Sequence, residues 1–304
     1  MRISNQQIFD QGVEQMVRQQ TSVAELQLKI AEGKQLVKPS DNPDKAMVIQ
    51  RLNSAVEKQA VYESSLNAVA IRLDLEESSI STANDILLRL KEIAVQSSNG
   101  TLSADDRGIL VSEVTSLRDS LLSLANTQDA NDNYIFAGSS SGSAAFIETA
   151  SGVSYAGDSS RMLIDISDHR QLLLNRPGDE VFANVSRQGP PVEEVGFFEA
   201  IDDFIVALGN DNSSAIAQGL SDVNALVDAG ISAQADVGSR QTLVDRQRDT
   251  LADTKMRYEV LLSNEQDLDY ATAVTELSAE MMQLEAAQAS FAQISQLSLF
   301  NYIS

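Results

Sequence analysis

The chain has 304 residues, with 22 bases against 44 acids, a formal net charge of −22, no cysteine and no tryptophan. That balance argues against nucleic acid and anionic membranes as partners, since basic faces hold both. The missing cysteines remove disulfides, zinc–thiolate and iron–sulfur sites, and thiol catalysis. The length allows about two domains of roughly 100–200 residues each. A hydrophobic content of 43% with only 5% aromatics suits long helices better than a dense globular core.

The N-terminal segment lacks the apolar core of a signal peptide, and no run of eighteen apolar residues predicts a membrane helix. Any export must therefore use a route that reads no such signal. From about Asn5 to Glu32, Phe9, Val13, Met16, Val23, Leu26 and Ile30 recur at helical spacing. Gly33 stands where a helix C′ glycine belongs. In Lys38-Pro39-Ser40-Asp41-Asn42-Pro43, Asn42 reads as an N-cap and Pro43 as the first residue of a second helix. That helix runs to about Ser98 without internal Gly or Pro, and Asn99-Gly100 breaks it. Ser103-Ala104-Asp105-Asp106 opens a third helix to about Asn131.

Composition then shifts. Gly138 to Ser143 reads as a flexible stretch, and the helical period disappears until about Val185. Gly157-Asp158 reads as a hairpin connection between Val153–Tyr155 and Arg161–Ile166. Gln171–Asn175 and Val181-Phe182 complete a small β-rich insert, and Gly189-Pro190-Pro191 marks its exit. Helix returns at Phe197–Leu208. A long helix follows from about Ser213 to Ser263, with Gly219, Gly230 and Gly238 as weak points, and a terminal helix starts near Leu268. In the last helix Tyr270, Val274, Leu277, Met281, Leu284, Ala287, Phe291 and Ile294 form a stripe like that of the first. Such narrow stripes need partner helices. They fit each other, or copies in neighbouring subunits, or simply an ordinary bundle whose first and last helices are neighbours.

The predicted fold is mainly α: an elongated antiparallel helical rod with coiled-coil-like terminal helices and a small β-rich insert. Residues 1–40 and 265–304 form a terminal assembly domain, 41–135 and 195–264 a rod, and 136–194 the insert. The Gly/Ser entry and Gly-Pro-Pro exit predict few packed contacts across the insert's borders. The candidate interface residues are Phe9, Val13, Met16, Val23, Ile30, Val274, Leu277, Met281, Leu284, Phe291 and Ile294.

No enzyme is expected. His169 is the only histidine, and Asp165, Ser167 and Asp168 beside it in sequence do not make a triad, which a fold assembles. Gly138–Ser143 lacks the Lys-Ser/Thr of a phosphate loop. Acid pairs such as Glu76-Glu77 and Asp202-Asp203 read as solvated faces rather than calcium ligands. No catalytic, metal or cofactor residue is assigned, and no cofactor is expected.

Three segments carry a family resemblance. They are Glu32-Gly33-Lys34 with Lys38-Pro39-Ser40-Asp41-Asn42-Pro43; Asn133-Tyr134-Ile135-Phe136-Ala137-Gly138 with Tyr155-Ala156-Gly157-Asp158; and Leu284-Glu285-Ala286-Ala287 with Ile294-Ser295-Gln296-Leu297-Ser298-Leu299-Phe300. In this order they resemble the flagellin superfamily of bacterial flagella. Both ends and the entry to the insert are covered; beyond about Arg161 the match is loose. Leu87–Gln96 is similar to the second helix of filament flagellins. Pro-Ser-Asp-Asn-Pro and Tyr-Ile-Phe-Ala-Gly point instead to the superfamily's hook–filament junction branch. Arg89 matches the pattern that an innate immune receptor reads in flagellins, but Ile93 stands where leucine is usual.

The resemblance implies a structural protein, exported unfolded through the flagellum's type III channel with a dedicated chaperone and without a cleaved signal peptide. Its location is then extracellular, in the flagellum. It implies terminal helices that order on assembly, and as partners copies of itself, a first hook-associated junction protein and flagellin. The competing readings are a filament flagellin, a secreted adhesin or receptor ligand acting through the insert, and a glycan-modifying enzyme using His169.

Overall fold

The computed structural model describes residues 2–99, 102–150, 152–187 and 192–303, excluding the side chains of 2–6, 8 and 294–303. The Ile294 side chain, Gly100 and Gly189-Pro190-Pro191 therefore lie outside the described residues. The elements are α1 (Arg2–Glu32), α2 (Pro43–Ser97), α3 (Ala104–Ala125), β1 (Phe146–Thr149), β2 (Gly152–Tyr155), β3 (Leu163–Ser167), β4 (Arg170–Leu173), α4 (Gly178–Val181), β5 (Val185–Arg187), β6 (Glu193–Val195), α5 (Phe197–Gly209), α6 (Ser213–Gln266) and α7 (Tyr270–Ile303). The fold is mainly α with small antiparallel strand pairs, as expected. The chain divides into two compact units, residues 1–58 with 253–304, and residues 59–252.

The helix boundaries follow local chemistry. Gly33 takes φ +70°, and its N–H and that of Lys34 both donate to the Lys29 carbonyl, closing α1. Asn42 caps α2 by accepting from Lys45 N–H at 3.0 Å. Ser103 and Asp106 form a reciprocal capping box on α3. That helix stops at Ala125, earlier than expected, because Asn126 turns its side chain to the backbone of Phe146.

In the unit formed by residues 59–252, α2 and α6 run antiparallel. Along α2 the buried positions Leu66, Val69, Leu73, Glu76, Ile80, Ala83, Leu87, Leu90 and Ala94 alternate spacings of three and four. Along α6 Ile216, Gly219, Val223, Leu226, Gly230, Ala233, Val237, Arg240, Val244, Gln247 and Leu251 do the same. This is a coiled-coil seam, and two of its positions are charged. Arg240 and Glu76 meet there through bonds of 2.6 and 3.3 Å. Burial pushes the Glu76 carboxyl up from its ordinary value, against the pull of Arg240, Arg72 and Arg176. The expected weak points on α6 include two close approaches. A Cβ at Gly219 would stand 2.4 Å from the Phe204 ring, and one at Gly230 2.0 Å from Asn84 Oδ1.

The insert departs from expectation in its pairing. β2 pairs with β1 and β3 with β4, so Gly157-Asp158 does not connect a hairpin. Instead it ties a knot. The Asp158 carboxylate accepts from the N–H groups of Ser139 and Ser160, both at 2.9 Å, and from the hydroxyls of Ser139 and Ser140. The supposedly flexible Gly138–Ser143 entry is thereby fixed, with Gly138 at φ +70° beneath Asp158. Tyr155 Oη lies 3.0 Å from the Phe136 carbonyl, and burial pushes its phenol up to about 12. Val181 falls in the short helix α4 rather than in a strand.

The expected sparseness of contacts at the insert's borders also fails. Phe146 and Phe182 of the insert pack on Phe136, Phe197 and Phe198 with ring centroids 5.2–6.3 Å apart. These rings join the helical core as one buried cluster. They do so because apolar side chains at both borders are drawn out of water together.

Candidate assembly surface

The unit of residues 1–58 and 253–304 is built on α1 packed along α7. The two helices are antiparallel: Phe9 meets Phe291 at 4.6 Å between centroids, and Gly33 lies beneath the Tyr270 hydroxyl. Gly12 admits the Phe291 ring, whose Cδ2 would stand 3.3 Å from a Cβ there. The connections at one end are clasped as well. Gln35 N–H donates to the Gln266 carbonyl at 2.8 Å, and Leu268 N–H to the Gly33 carbonyl at 3.0 Å. Lys45 reaches Gln35 Oε1 at 2.6 Å and Glu265 at 3.6 Å.

Very little of this unit is dry. Among its described residues only Ala273 is buried. The predicted interface residues fall into two groups. Met16, Val23 and Ile30 on α1 are half-buried, as are Leu277, Leu284 and Phe291 on α7. Phe9, Val13, Val274 and Met281 are 38–50% exposed. Each helix therefore has two stripes. One faces its partner and is partly covered. The other is bare, and sequence reading merged the two. On α1 the bare stripe is Val13, Val17, Ala24 and Leu28, at spacings of four, seven and four; on α7 it is Val274 and Met281, while Tyr270 rests its hydroxyl over Gly33. Val17 and Leu28 were missed, although their i, i+4 spacing to Val13 and Ala24 was legible.

Sites for chemistry fare less well. His169 stands exposed in the turn between β3 and β4. Asp165 is engaged by Gln171 and Asp168 by Tyr62. A cleft of about 400 Å³ beside β4 is lined by Arg161, Arg176 and Arg240, which pair with Glu180, Asp236 and Glu76. That arrangement is a chain of ion pairs, with no nucleophile set beside a base. No group of three or more metal-ligating side chains occurs among the described residues. No described helix is long and apolar enough to cross a membrane.

Known proteins match this architecture. The bacterial flagellin N-terminal helical region matches residues 3–141, and the C-terminal helical region matches residues 220–303. Flagellar hook-associated protein 3 of Escherichia coli K12 is 27% identical, across 99% of both chains. Flagellin of Listeria monocytogenes is 28% identical, but over 43% of this chain and 46% of its own. The crystal structure of FlgL from Xanthomonas campestris, at 23% identity, superposes with a TM-score of 0.60 across 70% of this chain and 99% of its own, which establishes a shared fold.

Proposed function

The chain belongs to the bacterial flagellin family, and from that premise we propose that it forms the junction layer between a first hook-associated protein and the flagellin filament. Copies assemble through their terminal helices, with Phe9, Val13, Met16, Val23, Ile30, Val274, Leu277, Met281, Leu284, Phe291 and Ile294 as the interface. Residues 1–40 and 265–304 act as the assembly domain, 41–135 and 195–264 as the rod and 136–194 as the outer insert. The chain reaches this place through the flagellar export channel with a chaperone's help and without a cleaved signal peptide. Its role is mechanical.

One observation carries the reading: the α1–α7 unit has matched apolar stripes but almost no dry interior. A helix pair this poorly covered gains stability when further helices bury its bare faces. The end-to-end match to a hook-associated protein, against a match to flagellin over less than half of the chain, favours the junction over the filament.

A strain lacking the gene tests this. It should make hooks without filaments and leak flagellin, and restoring the gene should cure both. Antibody to the chain should label one narrow band at the hook–filament boundary. Labelling along the whole filament would contradict the junction and support a flagellin.

A further inference from the structure

We propose that Met281 is a modification site, where oxidation of the thioether to a sulfoxide keeps the chain out of the flagellum without unfolding it. This rests on the assembly reading above and adds a chemical control to it. The chain has no cysteine and no tryptophan, so methionine is its most readily oxidised side chain. The methionines are unevenly placed. Residues 59–252 hold one, Met162, which is half-buried. Met47, Met256, Met281 and Met282 are 45–71% exposed, and all four belong to the unit of residues 1–58 and 253–304. Met16 in that unit is half-buried. An oxidant therefore modifies the unit that assembles and spares the one that holds the core.

Hydrogen peroxide suffices as the oxidant. A lone pair on Sδ attacks one peroxide oxygen, and the S–O bond forms as the O–O bond breaks. The proton on the transferred oxygen passes to the departing hydroxide, which leaves as water. Sulfur gives up two electrons and the peroxide takes them. The product carries an oxygen that only accepts hydrogen bonds. Met281 is the position where this matters, because it shares the bare stripe of α7 with Val274, about two turns away. α7 has no lysine or arginine to meet the new oxygen. The hydroxyls of Thr275 and Ser278 already donate to the carbonyls of Ala271 and Val274, at 2.8 and 2.9 Å. Burying that oxygen without a donor weakens a contact by about tenfold. Met282 is more exposed, but it is turned about 100° round the helix from Met281, away from the stripe.

The test treats the full-length chain with hydrogen peroxide, maps its sulfoxides by peptide mass spectrometry and removes the peroxide. The chain is then added to hooks isolated from the strain lacking the gene. The amount that sediments with them is blotted, each chain being compared with its own untreated sample. Met47, Met256, Met281 and Met282 should be oxidised before Met16 and Met162, urea unfolding should not change, and binding should fall about tenfold. Methionine sulfoxide reductase should restore the binding. Treated Met281→Leu should keep its own untreated binding, whereas treated Met282→Leu should lose as much as the wild type. Untreated Met281→Gln, whose amide stands in for the sulfoxide, should bind about tenfold less than the wild type. Undiminished binding by the oxidised wild type, or an equal loss in treated Met281→Leu, would overturn the proposal and leave the junction role intact. So would Met281 left intact while Met162 reacts, or unfolding that weakens together with binding. Failure of the untreated wild type to bind would overturn the junction role itself.

Discussion

Residues 59–252 and the unit built on α1 and α7 solve the same problem in opposite ways. The first unit contains every described buried residue but one. Its long helices interlock at a coiled-coil seam, and five phenylalanines join the insert to that core. The second pairs two helices, leaves their outer stripes bare and buries Ala273 alone. Burying apolar surface is worth about 25 cal/mol per Å², so most of the chain's own stability resides in the first unit. The second has gains in reserve that other copies can supply. Stability and assembly are thus assigned to different residues, and substitutions should separate them.

The largest expected effect breaks the first unit. Replacing 143–188 by a short Gly/Ser linker removes Phe146 and Phe182 from the aromatic cluster. The loss should match two Phe→Ala truncations, about 6–10 kcal/mol, which rivals the whole stability of a domain. Circular dichroism melting should show that the middle no longer unfolds cooperatively. An unchanged melt would mean that the insert is dispensable after all.

Next, Arg240→Ala should destabilise the middle by about 3–5 kcal/mol, because it leaves Glu76 buried in the seam without its bidentate partner. Urea unfolding of the variant measures this. The double variant Glu76→Met with Arg240→Met should recover most of the loss. If Arg240→Ala alone costs nothing, the pair does not set the seam.

A smaller effect is pH-dependent. The hydrogen bonds from Ser139 and Ser160 hold the Asp158 carboxyl well below its ordinary 3.8. A depressed carboxyl contributes stability above its unfolded pKa and loses it as pH falls toward the folded value. Asp158→Asn should therefore melt lower than the parent at neutral pH, with the difference shrinking as pH drops below 3.8. A difference constant down to pH 2 would show that the knot does not depend on the charge.

The smallest effect on stability should accompany a complete loss of assembly. Val17→Asp and Val274→Asp place charge on exposed stripes, so the monomer's unfolding free energy should move by no more than about 0.5 kcal/mol. Incorporation into flagella, read by blotting, should vanish. Normal incorporation would remove these stripes from the interface.

Much of this contrast was legible in the sequence. Gly33, Asn42-Pro43 and Ser103–Asp106 mark helix ends through local backbone chemistry, and the structure places the ends there. The terminal stripes were legible as stripes, but periodicity cannot tell a partly covered face from a bare one beside it. The seam was half legible. On α6 only Gly219 and Gly230 stood out, as weak points, and Glu76 was assigned to a solvated face although it is buried opposite Arg240, because a charge at a core position makes sense only opposite its partner. The insert was read least well. Gly138–Ser143 has the composition of a linker, yet Asp158, twenty residues on, gathers its hydrogen bonds. Strand pairing across such distances depends on tertiary packing rather than local propensity.

Hydrogen exchange on the purified monomer and on isolated flagella tests the central claim most directly. In the monomer, amides of 1–58 and 253–304 should exchange fast while those of the seam in 59–252 stay protected. In flagella the ends should become as protected as the middle. Equal protection of ends and middle in the monomer, unchanged on assembly, would contradict the account.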